Sequence, residues 1–205
     1  GVAVAGDAAS AAVTYWTDSR LAAARSLDTV EPRSSITGEP PGGTNEPQGP
    51  AVYVMPTRPD GSRTATAGGN TAGSGWWYVA KPYTSPQSRM LGKLFFTEDG
   101  RDYQCSATVA TAANRSLVWT AGHCVASEYS HQYFRNIVFV PGYGSRWNGD
   151  RPYGTWPARY VQTTNAWRYD GNVHLDVAAV LVGKVGGVTV QQRLGAQGLS
   201  FNANP

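Results

Sequence analysis

The chain has 205 residues and a net charge of +3, from 17 Lys and Arg against 14 Asp and Glu. That length suits one domain with appendages, and the seven Trp and eleven Tyr supply core material that a disordered chain lacks. The mild positive charge is spread along the chain and forms no basic stretch with interleaved aromatics, which argues against a nucleic-acid footprint. No apolar run approaches 18 residues, so no membrane-spanning helix is expected. Two Cys are too few for a zinc ribbon, and no Gly-rich stretch runs into Lys-Ser/Thr, so there is no P-loop.

In chain order, residues 1–30 are Ala-rich and favour helix. Thr17 or Asp18 is placed to cap a short helix through Leu21 to Arg25, with Trp16, Leu21 and Leu27 as its apolar face. Residues 31–75 hold seven Pro and nine Gly and read as linker; within them Val52–Met55 are expected to lie extended along the body. Residues 76–205 read as β throughout. Strands are expected at 91–96, 104–111, 116–120, 133–140, 153–163 and 176–182, with a further one at 187–190. Short strands between Gly, Pro and Asn turns, with no room for a three-turn helix, predict an all-β, antiparallel, six- to seven-stranded barrel.

The chemistry concentrates at the end of one strand. Leu117-Val-Trp-Thr runs into Ala121-Gly-His-Cys124, where small residues let the chain turn tightly and hold His123 at the barrel lip. Cys124 lies 19 positions after Cys105, and the two either form a bridge that locks this turn or remain buried thiols. Downstream, Asp176 opens the apolar run Val177–Val182; a carboxylate there needs a partner. Asp170 is the second candidate, but Arg168-Tyr-Asp-Gly171 is a turn signal. His131 and His174 fit no required role and are expected at the surface.

Thr120-Ala-Gly-His-Cys124 resembles the histidine motif of trypsin/chymotrypsin-like serine peptidases. Gly92-Lys-Leu-Phe-Phe96, Phe139-Val-Pro-Gly-Tyr143 and Pro152-Tyr-Gly-Thr-Trp-Pro157 are similar to stretches of secreted actinobacterial members, so the resemblance covers roughly residues 90–205. It implies the first barrel of a double barrel, a Cys105–Cys124 disulfide, His123 as general base, Asp176 as its orienting carboxylate, a polypeptide substrate, secretion, and no cofactor or metal. It makes residues 1–30 propeptide-like and places an activating cut near Arg89-Met-Leu-Gly92.

The chain departs from the family in one respect. No Gly-Asp-Ser-Gly-Gly-type loop follows Asp176; the serines after His123 are Ser127, Ser130, Ser145 and Ser200, none between the required glycines. The resemblance therefore implies a partner, the C-terminal half of the same peptidase carrying the Ser, with the chain as the N-terminal piece of a cleaved enzyme. A truncation, or a non-catalytic module binding through the aromatics Trp147, Tyr153, Trp156 and Trp167, are the alternatives.

Overall fold

The computed structural model describes residues 1–27, 50–62 and 81–201 except 145 and 148. The expected boundary at residue 30 and most of the expected linker, 31–49 and 63–75, lie outside the described residues. In chain order the elements are β1 (Val2–Ala3), α1 (Gly6–Tyr15), α2 (Asp18–Ala23), β2 (Arg25–Ser26), β3 (Val52–Val54), β4 (Leu91–Glu98), β5 (Arg101–Val109), β6 (Leu117–Thr120), β7 (Arg135–Pro141), β8 (Trp156–Thr163), α3 (Asn165–Asp170), β9 (Ala178–Val182), α4 (Val190–Leu194) and β10 (Leu199–Phe201).

Strands β4 to β9 form a closed antiparallel barrel in the order β4-β5-β6-β9-β8-β7, with β7 pairing back onto β4. Closure leaves these strands without a free edge. The β4–β5 hairpin turns at Asp99-Gly100, both with left-handed φ of 48° and 76°, the conformation that a two-residue turn between twisted strands demands. Both strands therefore run further into polar sequence than the apolar run 91–96 predicts.

Alternation fills the inside. Leu94 and Phe96 of β4, Cys105, Ala107 and Val109 of β5, Val118 of β6, Phe139 of β7, Val161 of β8 and Val180 of β9 share the inward face with Trp156. The intervening residues Phe95, Val138 and Val140 are just as buried, but in a second cluster outside the barrel, under Ala12, Trp16, Leu21 and Ala24. The N-terminal segment thus lies on the outer wall. Its second helix begins where expected, with the Thr17 hydroxyl accepting the Arg20 N–H at 3.3 Å. An additional helix, α1, precedes it and buries Ala9 and Ala12. At the two ends β1 pairs with β8 and β2 with β5.

Two expectations need correction. The strand expected at 187–190 is a tight turn through Gly186 and Gly187 leading into α4. Thr189 and Gln192 form a capping box there, a start signal readable as Thr-x-x-Gln. The 153–163 strand begins only at Trp156. Residues 52–54 are extended, as expected, and pair with β10, with Val52 and Tyr53 exposed. Arg89 and Met90 sit in a single 3-10 turn running into β4. Met90 is buried in the main core and the Arg89 guanidinium bonds the Leu194 carbonyl at 3.0 Å.

Candidate active site

Strand β6 delivers the histidine. The Thr120 hydroxyl at its end donates to the Ser106 carbonyl at 2.8 Å, and the chain then tightens into a 3-10 turn over Gly122–Cys124. Gly122 is required by close approach. A Cβ there would lie 2.5 Å from the Trp167 ring and 2.6 Å from the Thr163 hydroxyl. Cys124 is bonded to Cys105 in β5, with Cα atoms 6.0 Å apart, so the bridge of the two sequence alternatives is the one formed. Those two sulfurs and a His123 ring nitrogen lie within 4.8 Å of one another, but sulfur engaged in a disulfide offers no thiolate to a metal.

Asp176 comes from the other side of the barrel seam. It ends the 3-10 turn Val173–Leu175, two residues before β9 begins, so it precedes the strand that it was expected to open. Consecutive threonines hold the chain around it: Thr164 donates to the Leu175 carbonyl at 2.7 Å and Thr163 to the Val177 carbonyl at 2.8 Å. Asp176 then grips His123 twice. One carboxylate oxygen accepts the His123 backbone N–H at 2.8 Å; the other lies 2.6 Å from Nδ1. The side chains are each about one-fifth exposed, at 19%. With the carboxylate on Nδ1, the proton of a neutral ring sits there and the lone pair is on Nε2, the arrangement of a base. The ring edge meets the Trp167 indole at a centroid distance of 6.0 Å. The indole is itself buried, with its N–H on the Ala126 carbonyl at 3.2 Å.

Two expected outcomes arise from this geometry. Gly122→Ala drives a methyl into Trp167 and Thr163, and is expected to lower stability by about 1–3 kcal/mol in urea unfolding. Thr163→Val keeps the shape but removes the hydroxyl that bonds the Val177 carbonyl. It is expected to cost about 1–3 kcal/mol and to broaden the low-field Nδ1 proton of His123 in NMR, since the chain carrying Asp176 is released.

The other candidates separate clearly. Asp170 is exposed on the last turn of α3, closed by left-handed Gly171, so its turn signal marked a helix end. His174 is exposed, as expected. His131 is not a plain surface residue. Its Nδ1 lies 2.7 Å from the Arg168 carbonyl, and Arg168 Nε donates back to the His131 carbonyl at 2.6 Å. The Arg168 guanidinium lies against the Tyr133 and Tyr169 rings. This clamp fixes α3, and with it Trp167 beside His123. Sequence reasoning put Trp167 on a binding surface and missed its place beside His123; the Thr164 cap and Gly171 stop around Asn-Ala-Trp-Arg-Tyr-Asp were the signal.

Ser127 is buried and accepts the N–H groups of Tyr129 and Ser130; Ser130 accepts from Gln132; Ser200 lies in β10; Ser145 is outside the described residues. Nearby, burial pushes the Glu98 carboxyl up, against a hydrogen bond from Ser127. The aromatic surface of the binding alternative does not form: Trp156 and Trp167 are buried and Tyr153 bonds the Tyr83 carbonyl, which leaves Trp147 exposed.

No protein-family model matches the chain, and no curated protein does. Solved structures do. Protease Anisep from Arthrobacter nicotinovorans is 36% identical over 57% of this chain and 51% of its own, with a TM-score of 0.50. This barrel has the fold of the trypsin-like serine proteases. The thermostable serine protease AL20 from an extremophilic microorganism is also 36% identical, over 54% and 50% of the two chains, with a TM-score of 0.49. A Glu endopeptidase is 17% identical over 58% and 48%, with a TM-score of 0.43. The chain spans about half the length of these protease structures. Among the described residues no helix is long and apolar enough to cross a membrane.

Proposed function

We propose that this chain is the first barrel of a secreted serine endopeptidase and supplies two members of its triad. His123 is the general base, Asp176 the carboxylate that orients it, and the nucleophilic Ser comes from a second barrel, on another chain or a longer form of this one. The observation that carries the reading is the double grip of Asp176 on His123, through Nδ1 and through the backbone N–H. One bond fixes the tautomer and the other fixes the ring's position, which is what a base that takes and returns one proton needs.

In the proposed reaction Nε2 takes the Ser hydroxyl proton as Oγ attacks the peptide carbonyl. The imidazolium is held beside the Asp176 carboxylate. It then protonates the leaving amine as the acyl-enzyme forms. Water, deprotonated by the same Nε2, releases the new carboxyl end. The substrate is a polypeptide, and His123, oriented by Asp176, carries out these proton transfers without a cofactor or metal. Secretion is supported by the disulfide, which persists in oxidising surroundings.

Intact-mass measurement of the native material, with and without denaturant, tests the partner. The expected result is the 21.9 kDa chain in complex with, or continuous with, a Ser-bearing second barrel. A soluble, monomeric 21.9 kDa species as the whole native protein would contradict the reading.

A further inference from the structure

We propose that residues 1–27 are a permanent outer wall of the barrel, one that stays bound without a covalent link when the chain joining it to the barrel is cut. Resemblance alone makes this segment a propeptide to be shed. Its packing argues otherwise. The outward side chains Phe95, Val138 and Val140 are completely buried, and Trp16, Leu21, Ala12 and Ala24 cover them. Removing the segment would bare an apolar patch on two adjacent strands, which a soluble protein seldom shows.

The attachment is also directional. Trp16 Nε1 donates to the Asn136 carbonyl at 2.6 Å, at a left-handed residue (φ 53°) where the β4–β7 register shifts. The Trp16 carbonyl in turn accepts from Arg151 at 3.2 Å, and Arg151 pairs with Asp18. The Tyr15 hydroxyl donates to Asp102 at 2.7 Å, and Arg20 bridges both at 2.6 and 3.0 Å. Gln104 donates to the Ala24 carbonyl at 2.9 Å. Backbone pairing of β1 with β8 and β2 with β5 closes the two ends.

The position carries a functional consequence. In the closed strand order β4 stands three strands from β9 in either direction, and β7 three from β6. His123 follows β6 and Asp176 precedes β9, whereas the outer cluster sits on β4 and β7. The segment therefore covers the wall opposite the His–Asp pair and does not obstruct it. A molecule cut anywhere between residues 28 and 90 keeps this wall.

The proposal concerns binding and not catalysis, so it stands apart from the peptidase reading. The test introduces a recognition sequence for a specific protease between residues 30 and 45 of the full chain, cuts it, and follows the fragments by gel filtration and native mass spectrometry. The expected result is a one-to-one complex of the N-terminal fragment and the remainder. Trp16→Ala is expected to weaken retention at least about 100-fold, as large aromatic deletions do in cores. Tyr15→Phe, which spares the apolar cluster, is expected to speed release several-fold. Loss of the fragment from the cut wild-type chain overturns the proposal, whether the remainder stays soluble or precipitates. Unchanged retention in both variants overturns it too, because the named contacts would not be the ones holding the segment.

Discussion

In the proposed two-barrel peptidase, His123→Ala is expected to lower kcat about 10⁶-fold with little change in KM, the scale on which a triad loses its base. Asp176→Asn is expected to cost about 10⁴-fold. The amide would present its NH₂ or its single acceptor oxygen to two N–H donors of His123, so one of the two grips is lost and the Nδ1 tautomer is no longer enforced. His174→Gln, on the exposed turn beside the site, is expected to leave kcat within about twofold. Steady-state kinetics on a peptide substrate separate these outcomes. A His123→Ala enzyme within tenfold of wild type would show that another group takes the proton.

The largest stability effect is expected from the disulfide. Replacing Cys105 and Cys124 together by Ala opens a loop of 19 residues, worth about 3 kcal/mol in the chain-entropy account. The loss should exceed what cutting the loop alone would give, because both sulfurs are buried in the barrel core and leave space behind. Urea unfolding of the variant and parent measures the difference. The same variant is expected to lose activity beyond its loss of folded fraction. Cys124 is the neighbour of His123, and its bond to β5 is what holds the turn down. Unaltered kinetics in the folded double variant would mean that Gly122, Trp167 and Asp176 suffice to place the ring.

The sequence showed the inside of the barrel better than its outside. Period-two alternation at Cys105, Ala107 and Val109 put one face inward, and the Thr-Ala-Gly-His-Cys motif located His123. Asp176 stood out as a carboxylate against an apolar run. The short helices were harder: α3 and α4 have six and five residues, too few for a helical period, and only their caps announce them. The outer wall was missed for a subtler reason. Leu94-Phe95-Phe96 and Ile137–Val140 are unbroken apolar runs, and a strand with one wet face would alternate. Continuous apolar character was therefore a sign that something covers β4 and β7. The covering segment itself looks weakly amphipathic, since half of its buried face is alanine, whose burial leaves no mark in a hydrophobic pattern.

Labelling the native assembly with a serine-directed fluorophosphonate, followed by peptide mapping, locates the nucleophile. One stoichiometric adduct is expected, on a serine that is none of those in this sequence, abolished by His123→Ala. An adduct on Ser127, Ser130 or any other serine of these 205 residues, or an active assembly that takes no label, would contradict it.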